Sequence, residues 1–294
     1  MKILIVGSRG FIGSHLASAA QRFGAVVCYN LSGTDGNADV SVRSRHIAEM
    51  FETEQPDVCV NCSGAAHVQN SFADPLNDFS RNSVDVYEML SAINRASPNT
   101  RFVHLSSAAV YGNPTILPIS ETAALNPLSP YGFHKLAAEQ FCRQFTKLYG
   151  TKTVSLRIFS TYGPGLRKQL LWDTFRKWKQ QPEIELFGTG EETRDFIYIS
   201  DLCEAILTIV QNAAFAGEAI NVGSGIAVSV REIVSLLTDS LGGDKKISFV
   251  GQKREGDPDC WRADIGSLES LGFKIQTTIE TGVRTTAQWQ KEHG

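Results

Sequence analysis

Met1-Lys-Ile-Leu-Ile-Val-Gly7-Ser-Arg-Gly10-Phe-Ile-Gly13-Ser-His-Leu-Ala17 opens the chain, and its reading decides the fold. An apolar strand over 2–6 runs directly into three spaced glycines, and an amphipathic helix follows over 12–23. Glycines at a strand–turn–helix junction suit a turn that cradles phosphate. Gly7 permits the tight turn, Gly10 lets the backbone approach a pyrophosphate, and Gly13 allows the helix to pack closely on the strand. The helix N-terminus adds free N–H groups and a favourable dipole.

Working outward, apolar strands recur at 25–29, 57–62, 101–106 and 153–158, with a short one near 38–41. Helical patterns fall between them at 44–54, 75–96 and 130–149. Strict alternation predicts an α/β protein with a doubly wound parallel sheet, because parallel neighbours need a crossover. After residue 160 the pattern loosens: Gly, Pro and charged residues punctuate 163–194, before a helix at 200–213 and a strand leading to Asn221-Val-Gly-Ser-Gly225. A helix at 228–241 and another ending the chain complete a smaller, interleaved C-terminal lobe. The expected division is 1–160 for nucleotide binding and 161–294 mainly for substrate, with parts of 195–222 returning to the first unit.

Among 294 residues, the net charge of −3 and the pI near 6.1 argue against a nucleic-acid surface, which needs an excess of Lys and Arg. No apolar run approaches the ~20 residues that span a bilayer, and no cleavable signal precedes Lys2, so the expected compartment is the cytoplasm. Cys59 and Cys62 have C-x-x-C spacing, but on a buried strand they point to opposite faces. With no second pair nearby, the expectation is free thiols and no metal site.

Ser129-Pro-Tyr131-Gly-Phe-His-Lys135 carries the chemistry. Ser129 suits a helix cap and Pro130 the first helical position. Tyr131 and Lys135 therefore share one face. A tyrosine titrates near ~10, and a lysine cation beside it favours the phenolate. Tyr131 is then able to exchange a proton with a substrate hydroxyl. About 24 residues upstream, Phe102-Val-His-Leu-Ser106-Ser107-Ala-Ala-Val-Tyr111-Gly112 ends a strand at the carboxyl edge of the sheet, where ligands of doubly wound folds bind. His67 and His134 read as structural or solvated.

Taken together, the Gly7-x-x-Gly10-x-x-Gly13 loop with Phe11-Ile12 inside it, Ser107, and the Tyr131/Lys135 pair resemble the extended short-chain dehydrogenase/reductase family. The likeness is to its nucleotide-sugar epimerases, dehydratases and reductases, the UDP-glucose 4-epimerase-like group, and it covers nearly the whole chain. It implies a Rossmann-type sheet, with Ser107, Tyr131 and Lys135 catalytic. Ser107, rather than Ser106, would bond the reacting sugar oxygen, and Lys135 would hold the nicotinamide ribose. Asp39 and Val40 match a contact to the adenine ring. Asn61-Cys-Ser63-Gly64-Ala65 ends the fourth candidate strand, where family members pass beneath the cofactor.

Family members selective for NAD end their second strand in an acidic residue, whereas this strand ends in Cys28-Tyr29-Asn30. With Arg9 in the glycine loop, where some relatives place an arginine against a 2′-phosphate, the expected cofactor is NADP rather than NAD. Dehydratases of the family place Asp-Glu after the catalytic hydroxyl residue. Here Ala108-Ala109 stands there, which disfavours loss of water and epimerisation beside a ketone. Arg194 and Arg254 resemble the arginines that clamp the substrate diphosphate. Ser160 occupies a position where relatives carry a phosphate-binding asparagine.

These resemblances lead to oxidoreduction at C4 of a nucleotide-diphosphate sugar. The first expectation is a 4-keto-sugar-nucleotide reductase using dissociable NADPH, and the alternative is a 4-epimerase with tightly bound NAD. A non-catalytic cofactor-binding sensor is disfavoured by the joint presence of Ser107, Tyr131 and Lys135. The family resemblance also implies a homodimer through the helices near 75–96 and 130–149.

Overall fold

A computed structural model describes residues 1–31, 40–242, 245–252 and 254–294. Its centre is a six-stranded parallel sheet in the order β2-β1-β3-β4-β5-β9. The strands are β1 Lys2–Val6, β2 Ala25–Tyr29, β3 Val58–Asn61, β4 Arg101–Ser107, β5 Thr153–Ile158 and β9 Ala216–Val222. β1 lies between β2 and β3, so chain direction across the sheet reverses there. That reversal opens a crevice at the carboxyl ends of the strands.

Both sheet faces are covered, as near-continuous apolar strands require. Ile3, Ile5, Val60, Val103 and Leu156 pack against α1 (Phe11–Ala20) and α8 (Ile199–Asn212). On the other face, Leu4, Val6, Cys59 and Phe102 meet α2 (Val40–Glu54), α5 (Asp85–Ala96) and α6 (Pro130–Tyr149). Cys59 and Cys62 accordingly contribute to opposite clusters. Among the described residues, no group of three or more His, Cys, Asp or Glu could hold a metal, and no helix is long and apolar enough to cross a membrane.

The smaller lobe gathers β6 Ser160–Tyr162, β7 Glu183–Leu186, β8 Thr193–Tyr198, β10 Ala227–Ser229 and β11 Lys246–Phe249. Around them lie α7 (Gln169–Gln180), α9 (Val230–Leu241), α10 (Gly266–Ser270) and α11 (Ile279–His293). Phe175, Ile184, Phe196, Ile233, Leu237 and Val283 form its own core.

Two departures from the sequence expectation have physical causes. The helix read over 75–96 is α4 (Pro75–Phe79), a π-helical turn at Ser80–Val84, and α5, with α3 (Val68–Ala73) preceding it. The π turn brings Asn82 and Ser83 inward. The Asn82 side chain then accepts from the Ala65 N–H at 3.2 Å and donates to the Ala65 carbonyl at 3.0 Å. Such bulges recur at functional sites. The strand expected near 38–41 lies partly outside the described residues, and where they resume the chain is helical from Val40.

Candidate active site

The glycine loop has the geometry its spacing demands. Gly7 sits at φ 85°, and a Cβ there would come within 2.7 Å of the Ser63 backbone nitrogen. A Cβ on Gly13 would lie 2.2 Å from the Gly7 carbonyl oxygen, so only glycine lets α1 start against β1. Gly10 is the N-cap of α1, and no side chain caps that end. Gly10, Phe11 and Ile12 line a cleft of about 530 Å³ along the carboxyl edge of the sheet. At the end of β2, Asn30 accepts from the Arg9 backbone N–H at 3.0 Å and donates to Ser8 Oγ at 3.1 Å. The Arg9 residue is exposed. Asp39 lies outside the described residues, as does the side chain of Val40.

Ser63, Gly64 and Ala65 follow β3 and line the same cleft. Ser63 donates to Asn61 Oδ1 from both its backbone nitrogen (3.0 Å) and its hydroxyl (2.5 Å). A Cβ on Gly64 would press to 2.6 Å from Asn82 Oδ1, with Lys135 Nζ next at 3.6 Å. The small side chains of Ser63 and Ala65 and the bare backbone of Gly64 leave room for a flat cofactor against the sheet edge.

The structure brings Ser107, Tyr131 and Lys135 together. Ser129 caps α6 by accepting from the Gly132 N–H at 3.2 Å, and Pro130 takes the first position. A Cβ on Gly132 would lie 2.7 Å from the Ala109 carbonyl oxygen, so α6 packs tightly on the turn after β4. Tyr131 and Ser107 thereby line one cleft, with the Ser107 hydroxyl acting on the phenol. Alternation along β4 sends Ser106 the other way, into the interior, where its hydroxyl donates to Glu139 Oε1 at 2.6 Å.

Lys135 is 5% exposed and donates to the Leu105 carbonyl at 2.8 Å, with its nitrogen 5.9 Å from the Tyr131 ring centre. Burial pulls its ammonium down to about 8, while Asp78, Cys62 and Glu139 work in the opposite direction. Burial pushes the Tyr131 phenol up to about 12, opposed by the neighbouring Ser107 hydroxyl and reinforced by Asp78. Within the protein alone desolvation dominates; the lowering expected for Tyr131 counts the oxidised nicotinamide together with Lys135.

At the lobe end of the cleft, Arg194 donates to the carbonyls of Thr193 (2.9 Å) and Asp259 (3.3 Å) and lies over the Trp261 ring at 5.8 Å. Arg254 stacks over Phe187 at 4.5 Å. Ser160, the first residue of β6, lines the cleft with both arginines. Ala109 also lines it, whereas Ala108 is fully buried.

Asp78, Asn82 and Lys168 escaped sequence reasoning, while His67 and His134 have the structural role read for them. His134 Nδ1 lies 2.6 Å from Asp78 Oδ2, a buried carboxylate on α4. His67 caps α3, accepting from the Asn70 N–H at 3.4 Å. Both histidines thus have structural partners. Lys168 reaches across from the lobe to the Ala66 carbonyl at 3.2 Å.

Comparison with known proteins gives a consistent picture. The sequence model described as the NAD dependent epimerase/dehydratase family matches residues 3–223. A putative UDP-glucose 4-epimerase of Methanocaldococcus jannaschii is 27% identical over 305 residues, covering 99% of either chain. The dTDP-glucose 4,6-dehydratase 1 of Escherichia coli K12 is 29% identical, covering 98% of this chain and 92% of its own. Among solved structures, MoeE5 in complex with UDP-glucuronic acid and NAD superposes with a TM-score of 0.88 at 28% identity, covering 99% of each chain.

Proposed function

The chain belongs to the NAD dependent epimerase/dehydratase family, and from that premise we propose that it is a nucleotide-sugar 4-epimerase that keeps NAD in its site. The observation that carries this reading is the gathering of Ser107, Tyr131 and buried Lys135 in one cleft with Arg194 and Arg254. The reductase placed first by the sequence moves behind the epimerase, because a relative matched along nearly its whole length bears the 4-epimerase name. NADP likewise gives way to NAD. The family is described as NAD dependent and MoeE5 is bound to NAD, while Arg9 meets Asn30 through its backbone rather than its guanidinium.

The residues present fit that cofactor. Gly7, Gly10 and Gly13 would set its pyrophosphate against the start of α1, with Phe11 and Ile12 beside it. Tyr29 and Asn30 would meet the adenosine ribose, and Ser63 to Ala65 would run beneath the nicotinamide half. When bound, NAD would supply the acceptor and donor of the hydride exchanged with C4 of the sugar, and in its oxidised form a positive charge beside the phenol.

Tyr131 accepts the proton of the C4 hydroxyl during oxidation and gives it back during reduction. Ser107 bonds the same oxygen, and Lys135 holds the nicotinamide ribose while keeping a positive charge close to Tyr131. Arg194 and Arg254 hold the diphosphate, Ser160 standing beside them, so the sugar is free to turn between the two half-reactions. Ala108 and Ala109 have no group able to expel water, which sets this site apart from the dehydratases of the family.

We divide the chain at 160/161, with 195–222 partly returning to the sheet domain, and place it in the reducing cytoplasm in keeping with its six free thiols. A homodimer is part of the same reading. Leu76, Phe79, Tyr87, Phe133, Leu148 and Tyr149 expose apolar surface on α4, α5 and α6, and apolar area of that kind favours burial against a second copy.

The test is to denature freshly purified protein and identify the released nucleotide by mass spectrometry, then to follow C4 interconversion of a nucleotide hexose without added cofactor. Stoichiometric NAD and interconversion support the epimerase. An empty site that takes NADPH more tightly than NADH, with reduction of a 4-keto sugar, would replace it by the reductase.

A further inference from the structure

Besides Arg194 and Arg254, two lysines line the cleft from the lobe, Lys168 and Lys177, and Lys177 donates to the Glu185 carbonyl. Lys168 is half-buried immediately before α7, and its Nζ donates to the Ala66 carbonyl at 3.2 Å. Ala66 belongs to the stretch that leaves β3. Its neighbour Ala65 is clamped by Asn82, and Gly64 faces Lys135 Nζ. Lys168 therefore stands at the catalytic end, whereas Arg194 and Arg254 stand by Trp261 and Phe187.

Burial pulls the Lys168 ammonium below the ordinary lysine value. Among the described residues, no carboxylate forms an ion pair with it, although Asp173, Glu192 and Asp257 line the same cleft. Glu192 is engaged by the backbone N–H groups of Thr189 and Gly190, and Asp257 faces Arg194 and Arg254. Gln169, directly after Lys168, holds φ 68°, a left-handed conformation that strains a non-glycine residue and concentrates at ligand sites.

A partly desolvated ammonium with three protons and one carbonyl acceptor calls for an anion. The diphosphate is already matched by two guanidinium groups at the other end. We infer that Lys168 binds a carboxylate on the sugar ring, so that the substrate is a nucleotide-diphosphate hexuronic acid rather than a neutral hexose. The inference rests on the proposed placement of the reacting sugar beside Tyr131.

The test measures calorimetric binding to the full chain in its purified, nucleotide-retaining form. Glucuronic acid and glucose are each offered as the uridine and the thymidine diphosphate sugar, to the parent protein and to Lys168→Met and Lys168→Arg. The parent is expected to bind the uronate at least about tenfold more tightly than the matching glucose compound. Lys168→Met should bring the two within about twofold, mainly by weakening the uronate, and Lys168→Arg should keep a preference. Equal binding of the two sugars by the parent, equal weakening of both by Lys168→Met, or no binding of any uronate would overturn the inference. Turnover is scored separately: tight, Lys168-dependent uronate binding without C4 interconversion would remove the proposed reaction and leave the binding role standing.

Discussion

Glu139 and Arg157 form an ion pair inside the protein, joined by nitrogen–oxygen contacts of 2.8, 3.1 and 3.2 Å, with neither side chain more than 1% exposed. Ser106 donates to Glu139 at 2.6 Å, Arg157 donates to the Tyr111 hydroxyl at 2.9 Å, and Tyr111 donates to Asn221 at 2.6 Å. The network thus ties β4, β5, β9 and α6 together behind the catalytic face, Glu139 lying one turn beyond Lys135. Removing one partner leaves an uncompensated buried charge, which costs about 3–5 kcal/mol. Glu139→Leu should lower the urea-unfolding free energy by that amount. A double variant, Glu139→Leu with Arg157→Met, should recover most of it. A loss below about 1 kcal/mol in the single variant would mean that water reaches the pair.

Tyr131→Phe removes the proton-transfer group while keeping the ring and its packing. Turnover should fall by about 10²–10⁴-fold, the usual contribution of a positioned acid or base, with nicotinamide nucleotide still bound. Ser107→Ala should lower kcat less, by about 10–100-fold, since it deletes one hydrogen bond to the reacting oxygen. Steady-state kinetics with mass-spectrometric nucleotide counts check both, and unchanged turnover in Tyr131→Phe would remove Tyr131 from the mechanism.

How far such residues were readable depends on the distance over which their partners lie. The glycine loop, Ser129-Pro130 and the Tyr131/Lys135 face are local patterns, and each fell where its spacing placed it. The family resemblance chose Ser107 over Ser106, and alternation along β4 turns Ser106 inward to Glu139. Helix α7 was hidden by the Gly, Pro and charged residues just before it, although Leu171, Thr174, Phe175 and Trp178 carry helical spacing. The π turn left the apolar pattern of 75–96 readable as one helix, because its role is to turn Asn82 toward Ala65, 17 residues away. Asp78 meets His134 across 56 residues, and Lys168 meets Ala66 across 102. No local spacing encodes contacts of that separation. Nor does spacing measure desolvation, which in the protein alone pushes the Tyr131 phenol up to about 12.

Lys135 should be a stability liability in nucleotide-free protein. Burial lowers its folded-state pKa to about 8, below the ordinary value of ~10.4. Below pH 8 both folded and unfolded states carry the proton, and the folded state bears the full cost of the buried charge. Between about 8 and 10.4 the unfolded chain binds more protons, so this residue's contribution makes stability rise with pH. Lys135→Met should therefore stabilise the fold at pH 7 by roughly 1–3 kcal/mol while abolishing turnover, and the gain should shrink toward pH 10. Denaturant titrations at pH 7 and 9.5 decide it. A destabilised variant at pH 7 would mean that the Leu105 hydrogen bond outweighs desolvation.

The apolar surface on α4 to α6 gives a test of assembly. Tyr87 and Phe133 are 40% and 56% exposed, so a charge at either position is tolerable in a monomer and costly in a buried interface. Light scattering at micromolar concentration should give twice the chain mass for the parent and the chain mass for Tyr87→Glu with Phe133→Glu. A monomeric parent would dispose of the dimer.

Gly13→Ala isolates the glycine loop from the rest of the site. The added methyl would lie 2.2 Å from the Gly7 carbonyl oxygen and 2.9 Å from the Ser8 Cα, both backbone atoms that no side-chain rotation relieves. Either α1 moves outward or the Gly7 turn opens. Both displace the N–H groups of Phe11 and Ile12 from the place where a pyrophosphate would lie, while Tyr131, Ser107 and Arg194 stay where they are. Nucleotide affinity should fall by at least about tenfold, the scale of one lost charge-assisted hydrogen bond, with the affinity for the nucleotide sugar changed far less. The comparison of the two affinities carries the weight. A variant that loses both in equal measure has lost its fold, a result that a thermal melt would register alongside. A variant that keeps its nucleotide would show that the cofactor's phosphates are held elsewhere than at the start of α1.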